Sequence, residues 1–343
     1  MINPLKNYRI LIIDSDMNLA LVLKSMLGKM GFPNVHLIKS GKEAITLMQS
    51  MLFDFIITEW NTLHIDGIGM LEFMRRNPQS PNQTIPIIML TGRAEQVDVS
   101  LARNYGVNEY VIKPFTAKSI YTRLERIIEH PRNFVMARSF IGPDRRTMPK
   151  PKDANNERRV RKIIPDLRTS ESKININGEP CIWLPDLSLK LKLGQNMKLS
   201  DFITPQVLEQ SQTAIDSITS ISLKWINYDI QELKSRYQDM LSPSYPETIA
   251  LDIGNIALAI NSRAGTFGYS LAASIAYDLY IFTRKKLNPQ NEDHRLIVQK
   301  HIQVLQVILG NQMQGDAGEA GEQIADELKS LVNKYSGSRP STR

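Results

Sequence analysis

Between residues 8 and 130, short β-branched apolar runs alternate with stretches whose apolar positions recur every three or four residues. A fully apolar run predicts a buried strand and a 3.6-residue stripe predicts an amphipathic helix, so their strict alternation predicts βαβ units. Strands are expected at residues 9–14, 35–38, 54–58, 85–90 and 109–112, and helices at 17–30, 41–51, 67–76, 94–105 and 116–129. The fold class of this half is therefore α/β, a doubly wound sheet of five parallel strands whose functional crevice lies at the carboxyl ends of the strands.

After residue 130 the pattern changes. Residues 131–172 carry Pro143, Pro149, Pro151 and Pro165 among charges and have no period, which predicts a basic linker. Residues 173–198 predict a short connector, with a small hairpin where Ile174-Asn175-Ile176 and Cys181-Ile182-Trp183 flank Asn177-Gly178. Helical periodicity then fills residues 205–241, 246–264, 269–287, 291–311 and 318–335, with Ile256, Ile260, Tyr277, Ile281 and Val304 among the recurring apolar positions. An all-α antiparallel bundle over residues 199–336, serving as an interaction domain, is the expected architecture. The expected organisation is completed by a first domain at residues 5–130 and a flexible tail at 337–343.

Length and charge fit this division. At 343 residues the chain exceeds one typical domain of roughly 150 residues. The single cysteine, Cys181, cannot close an intramolecular disulfide, and no basic flank, apolar core and small-residue cleavage site combine near the first residues, so a cytoplasmic protein is expected. The longest apolar helical stretch, residues 249–260, is interrupted by Asp252, Gly254 and Asn255 and falls short of the ~20 residues a bilayer demands, so no membrane span is expected. Of the net charge of +7, a surplus of five lies between residues 144 and 173. Arg145-Arg146 and Arg158-Arg159-Val160-Arg161-Lys162 could meet nucleic acid or an acidic protein, but no aromatics are interleaved with them. A solvated linker is favoured, and nucleic acid is not the expected partner.

Five short signals stand at the rim of the expected sheet: Asp14-Ser15-Asp16, Glu59-Trp60-Asn61, Asp66-Gly67, Thr91-Gly92 and Lys113-Pro114-Phe115. In this order they resemble a response-regulator receiver domain, a flavodoxin-like module of two-component signalling. The resemblance implies a phosphate-accepting carboxylate after the third strand, where this chain has Glu59. It implies switch roles for Thr91, Tyr110 and Lys113, a cis Lys113–Pro114 bond, and a weak or absent Mg2+ held by Asp14, Asp16 and the backbone carbonyl of Asn61. Ser15 departs from the acidic pair of that family, and Asp16 has an alternative use as a helix cap. Glu59 carries the right charge and one methylene too many, so its carboxylate is expected to reach toward Lys113, to accept from Thr91, and to imitate the phosphorylated state.

In the second half, Ile253-Gly254-Asn255 and Arg263-Ala264-Gly265-Thr266-Phe267-Gly268-Tyr269 resemble part of a histidine phosphotransfer bundle. The histidine implied by that resemblance is absent, and Leu258 stands near its place. His294 and His301, two turns apart, lack further metal ligands at helical spacing and receive no role. The function expected is a response regulator that is not an enzyme and works through protein partners, a sensor kinase or a downstream signalling protein. Pairing of two copies through residues 94–129, conventional phosphorylation and a DNA-binding output stay open as alternatives, although no helix-turn-helix with a basic recognition helix is evident.

Overall fold

The computed structural model describes residues 3–138, 140–145, 160–162, 181–183, 186–216 and 219–335. It divides into two units, the first ending at Ala214 and the second beginning at Ile215.

In the first unit, β1 (Ile10–Ile13), β2 (Val35–Ile38), β3 (Phe55–Thr58), β4 (Ile87–Thr91) and β5 (Glu109–Ile112) form a parallel sheet in the order β2-β1-β3-β4-β5. Helices α1 (Met17–Lys29), α2 (Gly41–Ser50), α3 (Gly67–Arg76), α4 (Gln96–Asn104) and α5 (Ala117–Glu129) alternate with the strands. Every residue of β1, β3 and β4 is buried, as expected of central parallel strands covered on both faces. Strand order reverses between β1 and β3, which are register partners from Ile10↔Phe55 to Ile13↔Thr58. The next residues in each strand direction, Asp14 and Glu59, therefore emerge side by side at the switch point.

Residues 134–143, which composition assigned to the linker, instead form two strands, β6 (Phe134–Ala137) and β7 (Phe140–Pro143). With β8 (Val160–Lys162) and β9 (Cys181–Trp183) they make a second sheet in the order β7-β6-β9-β8, antiparallel except for β8 on β9. The expected Asn177-Gly178 turn lies outside the described residues. The β6–β7 hairpin is seated on the first sheet's surroundings. A Cβ at Gly142 would stand 2.6 Å from Gly106 Cα, so the two backbones meet with no room for a side chain on either. The fully buried Arg75 completes the joint: it donates to the carbonyls of Gly106 (3.0 Å) and Gln83 (2.9 Å) and to Asn108 Oδ1 (2.9 Å), and lies over the Phe134 ring. Burial without a carboxylate pulls its guanidinium down to about 9.

A third layer follows from residues 186–213. The short helix α6 (Ser188–Leu193) puts the Leu189 carbonyl at 2.5 Å from the donating Tyr8 hydroxyl, and Lys192 pairs with Asp54 at 2.5 Å. Further on, Leu199 N–H donates to Glu129 Oε1, and helix α7 (Pro205–Asp216) brings Gln212 and Thr213 against α5 and α1.

The second unit holds α8 (Thr219–Leu241), α9 (Ile249–Thr266), α10 (Ser270–Lys285), α11 (Glu292–Gly310) and α12 (Gly318–Tyr335). Of the helix expected over residues 205–241, the described residues form α7 and α8, with residues 217 and 218 outside the described residues. Gly254 faces Thr283 and Asn261 donates to the Ala273 carbonyl, so α9 and α10 run antiparallel at close range. Between α8 and α9, the half-buried Arg263 guanidinium meets the buried Asp229 carboxylate at 2.5 Å. Trp225 packs against Phe267, with ring centroids 6.0 Å apart.

Candidate functional site

The site is assembled by strand ends. Hydrogen bonds from Asp14 N–H to the Ile38 carbonyl, from Glu59 N–H to Ile13 and from Lys113 N–H to Thr91 extend the ladder one residue past β1, β3 and β5, fixing three charged side chains around one point. The Lys113–Pro114 bond is cis. Gly67, at the start of α3, lies so near the Glu59 backbone that a Cβ there would come within 2.5 Å of the Glu59 carbonyl; this is why Asp66, which caps α3 through Gly69 N–H, is followed by glycine.

Lys113 Nζ sits 2.8 Å from Asp14 Oδ2 and 2.6 Å from Glu59 Oε2, and all three side chains are at most one-tenth exposed. The other carboxylate oxygens are also satisfied: Asp14 Oδ1 accepts from Asp16 N–H at 2.8 Å and Glu59 Oε1 from Trp60 N–H at 2.6 Å. Burial pushes the Asp14 carboxyl up to about 6 against the lowering effect of Lys113. Burial alone would pull the Lys113 ammonium down, but the two carboxylates outweigh it and hold the group above its ordinary value.

Thr91, fully buried, accepts through Oγ1 from Arg93 N–H at 3.3 Å, and no bond between Thr91 and Glu59 forms among the described residues. The expected Thr91–Glu59 contact is thereby corrected: the second oxygen of Glu59 turns back to its own neighbour's amide. Tyr110 is half-buried, and its hydroxyl donates to the Arg93 carbonyl at 2.8 Å. Arg93 was not singled out by sequence, although it directly follows Thr91-Gly92. Its guanidinium donates to Asn61 Oδ1 at 3.0 Å, lies over the Trp60 ring at 4.8 Å and approaches Asp98 at 3.8 Å, tying the loop after β4 to the loop after β3.

The three positions expected to hold a cation are differently engaged. Asp16 is the N-cap of α1, its Oδ1 accepting from Asn18 and Leu19 N–H groups, and the Asn61 carbonyl accepts from the Ser15 hydroxyl at 2.9 Å. Asp14 is bound to Lys113. Magnesium takes near-octahedral oxygen shells built on one or two free carboxylates. Each member of this donor set already carries another bond: Asp16 caps a helix, the Asn61 carbonyl accepts from Ser15, and Asp14 pairs with Lys113. Among the described residues, no three His, Cys, Asp or Glu side chains gather at metal-holding distance.

In the second unit, Leu258 is buried on α9 and His301 is fully buried on α11. His301 Nδ1 is 2.8 Å from the Ile297 carbonyl, and its Nε2 has no partner among the described residues. His294 Nδ1 accepts from Asn288 N–H. No described helix is long and apolar enough to cross a membrane.

Residues 10–125 match the family of response regulator receiver domains. The chemotaxis protein CheY-3 of Vibrio cholerae is 32% identical over 124 residues, covering 36% of this chain and 94% of that protein. The chemotaxis protein CheY of Pseudomonas aeruginosa is 33% identical over 121 residues, covering 35% and 96% respectively. A solved receiver domain of a Pseudomonas aeruginosa sensor histidine kinase, 26% identical and with a TM-score of 0.32, covers 35% of this chain and 95% of its own.

Proposed function

Because the chain belongs to the response-regulator receiver family through residues 10–125, we propose that it is a two-component signalling protein whose receiver is held in one state by Glu59. It passes that state on through protein contacts, without turnover of a phosphoryl group and without a resident magnesium ion. The observation that carries this is the ammonium of Lys113 bound at once by Glu59 (2.6 Å) and Asp14 (2.8 Å) in a buried pocket. A carboxylate already contacts the cation that a phosphorylated side chain would otherwise have to reach. Phosphoryl transfer to a carboxylate needs a cation to offset charge on the transferred group, and the donors here are committed elsewhere.

The partners are a sensor kinase or a downstream signalling protein, as the receiver family implies, and the helical second unit is the segment that engages them. The distinguishing experiment is phosphate incorporation from a small-molecule phosphodonor with magnesium. The native chain is expected to stay unlabelled, whereas Glu59→Asp combined with Ser15→Asp, which restores a shorter acceptor and a second free carboxylate, becomes labelled. Label on the native chain that is released by hydroxylamine, as an acyl phosphate is, would overturn the proposal.

A further inference from the structure

Helix α5 begins four residues after Lys113. Its first residue, Ala117, has a backbone N–H with no partner inside the helix, one of the four such donors that every helix N-terminus leaves. Thr116 caps Ser119 N–H, not Ala117. The Ala117 N–H instead donates to Gln212 Oε1 at 3.0 Å, from a residue 95 positions later. The next residue, Thr213, accepts from Lys29 Nζ at 3.0 Å, at the last residue of α1. Ser211, on the same turn of α7, is buried, as is Phe115 between Pro114 and the cap.

Resting on the reading of Glu59 above, we propose that α7 is a sensor of the Lys113 site: Gln212 clasps the start of α5, and the clasp holds only while Lys113 is anchored by Glu59 as well as by Asp14. The route is short and continuous. Lys113 is held by two carboxylates, the chain turns at the cis proline, Phe115 is buried, and Ala117 offers its amide to Gln212. When Glu59 no longer draws Lys113 inward, residues 113–117 relax, the Ala117 amide leaves its acceptor, and α7 comes free of α5. Because α7 is the covalent entry to the helical unit, its release is the signal that this unit receives.

Hydrogen exchange by mass spectrometry on the full chain tests the coupling, read separately for residues 113–117 and 205–216 in the native protein, Glu59→Gln, Gln212→Ala and the double variant. Loss of one hydrogen bond predicts about a fivefold to tenfold loss of protection over 205–216 in Gln212→Ala. Glu59→Gln is expected to produce the same loss, and the double variant no more than either alone, which is the mark of one shared interaction. Gln212→Glu, which keeps the acceptor at a helix N-terminus, is expected to retain protection and guards against a fold defect in Gln212→Ala. Additive effects, or a Glu59→Gln protein that loosens 113–117 while leaving 205–216 unchanged, overturn the clasp alone. If Glu59→Gln leaves 113–117 unchanged as well, the Glu59 reading itself falls.

Discussion

At the scale of single residues, the site is an exercise in charge compensation. Lys113 is nearly dry and survives there because two carboxylates face it; taking it away leaves Asp14 and Glu59 as like charges in the same pocket. Lys113→Met is therefore expected to cost about 3–5 kcal/mol in urea unfolding of the receiver unit, while Glu59→Gln, which leaves Asp14 to pair the lysine, costs about 1–2 kcal/mol. An inverted order would mean that Asp14 does not hold the lysine. Much of this was legible from residue order alone, since Asp14, Glu59 and Lys113 each end an apolar run and a parallel sheet must bring such ends together. What could not be read was side-chain choice: Glu59 Oε1 takes the N–H of its own neighbour Trp60, a detail set by the local turn and not by strand order. Arg93 escaped notice for a similar reason, because an arginine after a glycine is ordinary until Asn61 and Trp60 are seen beside it.

At the scale of elements, the apolar runs and stripes located the five strands and five helices of the first sheet to within a residue or two, since each is an uninterrupted apolar run or a full amphipathic stripe. Elements without such a pattern were opaque. Strand β6 is four residues long and sits among prolines and charges, so its short apolar run does not stand out from linker. The joint between the β6–β7 hairpin and its neighbours can be tested directly. Gly142→Ala drives a methyl into Gly106 and is expected to destabilise the first unit by about 1–3 kcal/mol. Arg75→Met strands the Gly106 and Gln83 carbonyls and is expected to cost about 2–5 kcal/mol. Both are read from urea midpoints, and a Gly142→Ala protein as stable as the native one would show that the hairpin is not seated on Gly106.

At the scale of the whole molecule, two buried groups, one in each unit, answer acid in opposite senses. Burial, only partly offset by the bond to Ile297, lowers His301 from 6.5 to about 4, so the folded chain binds that proton less tightly than the unfolded one. The stability gained by keeping it neutral is complete above pH 6.5 and is lost as pH falls toward 4. Asp14 is raised from 3.8 to about 6, so between these values acidification favours the folded first unit. Urea unfolding followed through Trp225, with Trp60 and Trp183 replaced by Phe, is expected to show the helical unit losing about 1–2 kcal/mol between pH 6.5 and 5, and His301→Leu is expected to flatten that slope. A slope unchanged in His301→Leu would place the acid sensitivity elsewhere. The Arg75 joint has a further consequence for how such chains diversify. The match to the receiver family stops at residue 125, yet the cation buried inside that segment lies against an aromatic ring contributed by residue 134. What is inherited as a module and what folds as a module have different edges here, so a recombination cut at the first would leave an arginine facing water and a core missing one wall.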